Sequence, residues 1–203
     1  MNTLTNILIT QLRRKELTRA EFRAHAHQLA QCLAQQAIDH LTATPITVAT
    51  PFGKSDGITL TQPIVLVPIL RSGLALLPAF VELFPSAGIG CVGLRRDEKT
   101  AIATLYYNNI PKLTGTEQVI MLDPMIATGG SSCATLDILT KKGIAQRSIL
   151  FVAVIAAQQG LDVVKKAFPG ITILVAAIDK ELNPQKFIIP GLGDFGDRYF
   201  GTE

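Results

Sequence analysis

The chain has 203 residues, of which 48% are apolar and 17% are charged, and its formal net charge at pH 7 is +3. This length and composition predict a globular chain with one substantial core and leave too few residues for two full domains. The longest apolar run, residues 149–157, is far shorter than the roughly 20 residues that cross a bilayer, and no long basic run indicates nucleic-acid binding.

The first two predicted elements are a helix and a hairpin. Thr18 and Glu21 form a capping box, and apolar residues follow at helical spacing, so the sequence predicts an amphipathic helix over residues 18 to about 41. Residues 45–60 carry β-branched side chains around a glycine-rich polar segment, 51–57, which predicts a hairpin arm with its turn in that segment. A projecting arm often pairs with a second subunit, so we expect a homodimer or a larger homo-oligomer.

Five apolar runs then alternate with helical segments. The predicted strands are residues 64–68, 87–94, 119–122, 148–156 and 171–178, and the predicted helices are residues 73–84, 132–142 and 159–168. The strands are continuous apolar runs, which indicates that both of their faces are buried. These features predict an α/β fold with a doubly wound, mainly parallel five-stranded sheet and flanking helices. Ligands of such sheets bind at the carboxyl ends of the strands.

The carboxyl end of the third predicted strand carries a candidate anion site. Asp123 follows the strand, and residues 127–131 (A-T-G-G-S) form a small-residue loop before the next helix. Two adjacent glycines allow backbone N–H groups to converge on a phosphate, and the helix N-terminus favours negative charge there. The acid suits a neutral polyol beside the phosphate, so the segment predicts a sugar-phosphate site. The alternative is a plain strand-to-helix turn that Ser131 caps.

Two other strand ends carry basic residues. Arg71 follows the first predicted strand and can hold a diphosphate in a bidentate grip; the alternative is a surface arginine that pairs with a neighbouring acid. After the second predicted strand, residues 95–112 are dense in charge, which predicts a mobile excursion that closes over the site. The alternative for this segment is a solvated, charged hairpin.

The segment after the last predicted strand is rich in glycine. Residues 191–196 match G-x-G-x-x-G, but a dinucleotide site is not predicted, because the match does not follow the first strand and no helix pattern comes after it. Exposed backbone N–H and C=O groups in this segment can instead bind a flat heterocycle, so residues 179–203 are predicted to form an irregular hood. Residues 127–131 also lack the lysine of a Walker A loop.

Four segments resemble the uracil phosphoribosyltransferase family, which has the type I phosphoribosyltransferase fold. They are V-P-I-L-R-S-G at 67–73, the R-D-E-K-T run that starts at residue 96, L-D-P-M-I-A-T-G-G-S at 122–131, and residues 188–197 followed by R-Y-F-G-T. The resemblance extends from about residue 12 onward. It implies a single phosphoribosyltransferase domain over residues 1–203, with a C-terminal base-binding hood at about 179–203.

The resemblance also implies the reaction, in which uracil and 5-phosphoribosyl 1-diphosphate (PRPP) give UMP and diphosphate for pyrimidine salvage. Mg²⁺ is the implied cofactor, bound mainly through the diphosphate of the substrate. The implied catalytic residues are Arg71, Arg96, Asp123 and Asp194. The implied PRPP-binding residues are Arg71, Arg96, Asp123, Pro124, Met125, Ile126, Ala127, Thr128, Gly129, Gly130, Ser131 and Asp194, and the implied uracil-binding residues are Ile188, Gly193, Asp194 and Phe195.

Three positions depart from residues that are frequent in the family: Phe187 replaces tyrosine, Phe195 replaces alanine and Arg95 replaces tyrosine. These departures leave open an alternative in which another nucleobase accepts the phosphoribosyl group. A second alternative is a pyrimidine-sensing regulator of the same fold that binds RNA. Such a regulator needs a basic face, whereas the basic residues of this chain are dispersed.

The cysteines and the first residues indicate where the protein acts. Three scattered cysteines lack C-x-x-C spacing and fit a reducing compartment, and the polar first residues show no signal segment. The sequence therefore predicts a cytoplasmic protein with small-molecule substrates and with neither a nucleic-acid nor a membrane partner.

Overall fold

The computed structural model describes residues 3–96 and 103–202. Its helices are α1 (Thr3–Leu12), α2 (Arg19–Ile38), α3 (Leu77–Leu83), α4 (Gly130–Lys141), α5 (Gln158–Ala167) and α6 (Phe195–Phe200), with short 3₁₀ turns at Ser72–Ala75 and Gln146–Ser148. Its strands are β1 (Ala43–Thr50), β2 (Gly53–Leu60), β3 (Ile64–Leu70), β4 (Gly88–Ile89), β5 (Cys91–Arg96), β6 (Ala103–Asn109), β7 (Gln118–Leu122), β8 (Met125–Ile126), β9 (Ile149–Ala157), β10 (Thr172–Asp179), β11 (Glu181–Leu182) and β12 (Ile188–Ile189). No helix in the described ranges is long and apolar enough to span a membrane.

Helix α2 confirms the first predicted element. The Thr18 hydroxyl accepts a hydrogen bond from the Glu21 N–H group, and the Glu21 carboxylate accepts one from the Thr18 N–H group at 2.8 Å. Its buried stripe includes Phe22, Ala26, Leu29, Ala30, Leu33 and Ala37. Helix α1 is a further helix that the sequence analysis does not predict, because no acid marks its first turn. Three buried residues, Leu8, Ile9 and Leu12, join α1 to the same core.

The central sheet has the strand order β10-β9-β7-β3-β5-β6. The first five of these strands run parallel, and β6 pairs antiparallel with β5 at one edge. The prediction of a mainly parallel sheet is confirmed, and β6 adds an edge strand to the five predicted. Strands β5 and β6 flank residues 97–102, which lie outside the described residues. Within the 95–112 segment, residues 95–96 and 103–109 therefore belong to paired strands, and the closure of the segment over a site stays a prediction.

Two apolar layers cover the sheet, one on each face. Along β7, Ile120 and Leu122 belong to the layer that contains α1, α2 and α3, whereas Val119 and Met121 belong to the layer that contains α4 and α5. Successive side chains of a strand point to opposite faces, so a strand covered on both sides needs apolar residues at every position. This requirement explains the continuous apolar runs in the sequence and confirms the doubly wound arrangement.

Strands β1 and β2 form the predicted arm. They are in register from the pair Ala43 and Leu60 to the pair Thr50 and Gly53, so the turn consists of residues 51–52 alone. The prediction of a turn over residues 51–57 is wrong, because residues 53–57 continue the second strand. At residue 57 a turn does not require glycine, since this residue lies within β2 and a Cβ atom on it would meet no atom within 4 Å.

The predicted hood, residues 179–202 of the described chain, contains more regular structure than expected. Strands β11 and β12 pair antiparallel, and α6 begins at Phe195. The Asp194 carboxylate caps α6 by accepting a hydrogen bond from the Asp197 N–H group at 2.9 Å. The expectation that no helix follows the G-x-G-x-x-G match is therefore wrong. A dinucleotide site remains excluded, because the match follows β12 and not the first strand of the sheet.

Two arginines attach the hood to the end of α1. Arg13 donates to both carboxylate oxygens of Asp179, at 2.7 and 2.8 Å, and to the Gly191 carbonyl at 2.7 Å. Arg198 donates to the Leu12 carbonyl at 2.6 Å. The Arg13 guanidinium holds the pKa of Asp179 below its usual range. The position of the hood thus depends on charged side chains that bind across the end of a helix.

Candidate active site

A cavity of about 280 Å³ lies at the carboxyl edge of the sheet. Its walls include Ser72, which follows β3, and Asp123, which follows β7, together with residues 127–132, residues 185–187 and Asp194. Strands β3 and β7 are direct neighbours in the sheet, so the residues that follow them reach the same edge. The structure therefore brings the predicted acid, the predicted glycine loop and part of the hood together around one cavity.

The glycine loop, residues 127–131, lies directly against the start of α5. Gly129 has a left-handed φ of +82°, and a Cβ atom on it would lie 2.9 Å from the Gly160 carbonyl oxygen. A Cβ atom on Gly160 would in turn overlap the Ala127 carbonyl oxygen. Helix α4 begins at Gly130, and the first backbone N–H groups of a helix have no partner within it. These N–H groups and the helix dipole make the loop suitable for an anion.

Asp123 stands at the end of β7, in the wall of the cavity. Its Oδ1 atom accepts a long hydrogen bond, 3.5 Å, from the Met125 N–H group. Burial raises the pKa of Asp123 to about 7, and the negative charge of Asp194 contributes in the same direction, while the Met125 hydrogen bond opposes the shift. Near neutral pH this carboxyl group is only partly ionised. A carboxyl group in this state can accept hydrogen bonds from hydroxyl groups of a ligand.

Residues 124–127, which join Asp123 to Thr128, alternate between the core and the cavity. Pro124 and Ile126 are buried, whereas Met125 and Ala127 line the cavity. The Pro124 carbonyl accepts hydrogen bonds from two backbone N–H groups of β9, each at 3.0 Å. Strand β8 also pairs with β9. These four predicted PRPP-binding residues thus form a connection from β7 to the glycine loop that hydrogen bonds to β9 hold in place.

Arg71 does not line the cavity and instead contacts the C-terminal segment. Its Nη2 atom donates to the Thr202 hydroxyl at 2.9 Å and lies 3.8 Å from an Asp197 carboxylate oxygen, and its guanidinium lies 5.1 Å from the centre of the Phe200 ring. These contacts match the alternative of an exposed arginine beside an acid. Arg96 ends β5, but its side chain lies outside the described part of the structure.

The predicted base-binding residues are placed differently from one another. Asp194 lines the cavity, Ile188 is buried and Gly193 has a φ of +81°. The Phe195 ring is fully buried and packs in the core, 5.2 Å from the Phe22 ring centre. The departure at Phe195 therefore places no ring in the cavity wall. The other phenylalanine departure, at position 187, does line the cavity.

The described residues contain no group of three or more acidic, histidine or cysteine side chains placed to hold a metal ion. Mg²⁺ commonly keeps several waters and binds through one or two carboxylates together with substrate phosphates. The exposed carboxylate of Asp194 at the cavity fits a Mg²⁺ ion that arrives with such a phosphate. The donor set is thus compatible with a substrate-borne ion.

Comparison with known proteins gives the family. The sequence model described as uracil phosphoribosyltransferase matches residues 1–202. The chain belongs to this family. A uracil phosphoribosyltransferase from Malacoplasma penetrans is 40% identical over 195 residues, which are 96% of this chain and 94% of the relative. One from Dictyoglomus turgidum is 38% identical over 196 residues, which are 96% of this chain and 94% of the relative.

A solved structure has the same architecture throughout. The AQ2163 protein from Aquifex aeolicus is 32% identical and aligns with a TM-score of 0.91, covering 100% of this chain and 97% of that one. The resemblance to the uracil phosphoribosyltransferase family inferred from the four sequence segments is confirmed. The RNA-binding regulator and the transferase for another base are not favoured by these matches.

Four cavity residues of this family member were not found by the sequence analysis: Ser72, Ser132, Gln185 and Lys186. The two serines directly follow predicted site residues, so extending each predicted segment by one position would have included them. The other two follow an Asn-Pro pair, which is a turn signal. That signal predicts a turn but gives no indication that the turn reaches the site.

Proposed function

We propose that the protein transfers the 5-phosphoribosyl group of PRPP to uracil, giving UMP and diphosphate in pyrimidine salvage. The observation that carries this proposal is the juxtaposition of the glycine loop with Asp123 in a chain that matches the uracil phosphoribosyltransferase family over residues 1–202. An anion site beside an acid is the arrangement that a ribose phosphate requires, because the phosphate needs N–H donors and the ribose hydroxyls need an acceptor.

The phosphoribosyl group occupies the middle of the proposed site. Residues 128–131 hold the 5-phosphate with backbone N–H groups, and Asp123 accepts hydrogen bonds from the ribose hydroxyls. The 5-phosphate is remote from the bond that breaks, so its binding energy can position the ribose C1 atom for reaction. The packing of Gly129 on Gly160 supports this role, since a loop fixed to α5 is already in place before the substrate arrives.

The leaving diphosphate is assigned to Arg71 and Arg96. Breaking the C1–O bond builds positive charge on the ribose and negative charge on the diphosphate, and guanidinium groups stabilise the latter. Arg71 must exchange its contacts with Thr202 and Asp197 for the diphosphate, which its exposed position allows. Mg²⁺ bound to the diphosphate would add further neutralisation of the leaving group, with Asp194 at hand as a protein ligand.

Uracil is assigned to the hood, where backbone groups of Ile188 and of residues 193–195 recognise its edge. The uracil N1 atom forms the new bond to C1 as the C1–O bond breaks, and the N1 proton leaves to solvent or to the diphosphate. The buried position of the Phe195 ring supports recognition by backbone groups, because this side chain cannot contact a base in the cavity. The Phe187 ring, in contrast, supplies an apolar surface at the wall.

The assembly and location of the protein are part of the same proposal. The arm formed by β1 and β2 exposes Val48, Phe52 and Ile58, the second of them completely, and these side chains suit burial against another copy of the chain. We therefore propose a homodimer or larger homo-oligomer, which sedimentation equilibrium would detect. The three cysteines are free thiols, which supports a cytoplasmic location.

The test is release of diphosphate from PRPP by the purified full chain. Uracil, cytosine, orotate, hypoxanthine and adenine are supplied separately with Mg²⁺. We expect release with uracil and at most background release with the other four bases. Equal or faster release with another base would overturn the assigned substrate, and tight, salt-sensitive binding of RNA without any release would support a regulator instead.

A further inference from the structure

Lys186 has an unusual backbone conformation for its residue type. Its φ is +67°, and it is the one non-glycine residue with positive φ in the described ranges. A side chain in this left-handed region is disfavoured, and residues held in such conformations cluster at ligand sites, where the surrounding structure keeps them in place. This conformation alone assigns no role to Lys186, but it shows that glycine would be less strained at this position.

A tight turn fixes this conformation. The Lys186 N–H group donates to the Asn183 carbonyl at 2.9 Å, and the Phe187 N–H group donates to the Asn183 side-chain oxygen at 2.8 Å. The Asn183 N–H group donates to the Phe187 carbonyl at 2.9 Å. Pro184 follows Asn183 and favours the turn geometry. The turn therefore presents Lys186 and its neighbours to the cavity, which they line.

The charges around the cavity make Lys186 distinctive. Among the described residues that line the cavity, Asp123 and Asp194 are acidic, and Lys186 is the one cation. Arg71 is engaged with the C-terminal segment. The Lys186 ammonium group makes no hydrogen bond or ion pair with any other described residue. A cation with no partner among the residues that the structure describes thus lines the same cavity as the N–H groups of the glycine loop.

From these observations we infer that Lys186 binds the 5-phosphate of the sugar phosphate and completes, from the hood, the anion site that the glycine loop begins. This inference rests on the proposed function and adds a binding residue to it. Backbone N–H groups fix the direction of the phosphate oxygens, and the ammonium group supplies a compact positive charge that the loop lacks. The unfavourable left-handed backbone conformation of Lys186 is then explained, because it places this charge at the cavity.

The experiment compares Lys186→Met with the wild-type full chain by isothermal titration. Ribose 5-phosphate, UMP and uridine are the ligands, because uridine lacks only the phosphate of UMP. We expect Lys186→Met to bind ribose 5-phosphate and UMP about ten-fold more weakly, as for loss of a charge-assisted contact, and to bind uridine as the wild type does. Lys186→Arg should restore most of the affinity, and Lys180→Met, at an exposed hood lysine outside the cavity, is the matched control.

Kinetics and stability separate a binding role from a structural one. Lys186→Met should raise the KM for PRPP and leave the KM for uracil unchanged. Lys186→Gly should show the same loss of ribose 5-phosphate affinity while its unfolding temperature rises by about 2 °C, since glycine accepts positive φ freely. If Lys186→Gly binds ribose 5-phosphate more weakly and also unfolds at a higher temperature, poor folding cannot explain its loss of affinity.

Three results would overturn the inference. The first is an unchanged affinity of Lys186→Met for UMP. The second is an equal loss of affinity for UMP and uridine, which would mean that Lys186 contacts the nucleoside and not the phosphate. The third is a lower unfolding temperature for Lys186→Gly. Failure of the proposed function gives a different pattern. In that case the wild type releases no diphosphate with uracil, whereas the ribose 5-phosphate titration still reports on Lys186.

Discussion

The glycine loop and the hood line the same cavity, but different forces hold them. The loop lies on α5 through backbone contacts that only glycine permits at positions 129 and 160, and it is continuous with buried strands. The hood is attached through hydrogen bonds and an ion pair from Arg13 and Arg198 to the end of α1. Packing contacts of the first kind tolerate little displacement, whereas hydrogen-bonded charges can re-form at slightly different positions.

This difference matches the roles proposed for the two regions. Most contacts to the sugar phosphate are assigned to the glycine loop and Asp123, with Lys186 as an added phosphate contact from the hood, and the nucleobase is assigned to the hood. We therefore expect a change in the support of the loop to raise the KM for PRPP more than the KM for uracil, and a change in the attachment of the hood to do the reverse. Each of the variants below changes one of the two regions.

The largest effect is expected for Gly160→Ala. A Cβ atom there overlaps the Ala127 carbonyl oxygen, so the loop must move, and a displacement of about 1 Å lowers kcat/KM for PRPP about 100-fold. Steady-state kinetics with PRPP varied at saturating uracil measures the effect. Gly88→Ala is the control, because a Cβ atom on Gly88 makes an ordinary 3.6 Å contact. Wild-type kinetics for Gly160→Ala would show that the loop is not fixed by α5.

Arg13→Ala should have the next largest effect. It leaves the Asp179 carboxylate, which is 7% exposed, without its ion-pair partner, and this should lower the free energy of unfolding by about 2 kcal/mol. Urea denaturation measures the loss, and we expect the KM for uracil to rise more than the KM for PRPP. Arg14→Ala removes an exposed ion pair with Glu16 from the same segment and should cost about 0.5 kcal/mol at most. Equal losses in the two variants would contradict the proposed attachment.

Asp123→Asn tests the electrostatics of the loop side. Burial raises the pKa of Asp123 in the folded protein to about 7, so the folded state holds this proton more firmly than the unfolded chain does. The wild type therefore loses stability as pH rises from about 4 to 7, and the variant, which cannot ionise, does not. We expect Asp123→Asn to be more stable than the wild type at pH 8 and equally stable below pH 4, while its KM for PRPP rises. If the free energies of unfolding of the wild type and of Asp123→Asn changed in parallel between pH 4 and pH 8, the raised pKa of Asp123 would be refuted.

The smallest effect is expected for Thr202→Val. The Thr202 hydroxyl accepts a hydrogen bond from Arg71, which must release it to reach the diphosphate. Thr202→Val removes this bond and the one that the Thr202 hydroxyl donates to the Asp197 carboxylate at 2.6 Å, and it should lower the KM for PRPP about three-fold. Thr10→Val, which removes an exposed hydroxyl bond within α1, serves as the control. A higher KM in Thr202→Val would show that the contact positions Arg71 for the reaction.

The parts of the fold that sequence predicted are those with a local signal. Continuous apolar runs mark the buried parallel strands, the pair Thr18 and Glu21 marks the start of α2, and the A-T-G-G-S segment marks the glycine loop. In each case the physical requirement acts on residues close together in the chain. For the candidate site, the same kind of signal predicted that Asp123 and the glycine loop lie close together, and both line one cavity.

The parts that sequence did not predict depend on distant contacts. The direction of the Phe195 ring is decided by Phe22, far away in the chain, and the resting position of Arg71 is decided by Thr202. Lys186 reaches the cavity only because β11 and β12 fold back over the sheet edge. A pattern in one segment carries no information about such partners, so these placements require the structure.

The stoichiometry of the reaction tests most directly whether the protein transfers the phosphoribosyl group to uracil. Purified full-length protein is incubated with uracil, PRPP and Mg²⁺, and UMP and diphosphate are both quantified by chromatography. We expect equal amounts of UMP and diphosphate, and neither product without uracil. Diphosphate formed without UMP, or no product at all, would contradict the proposed transfer to uracil.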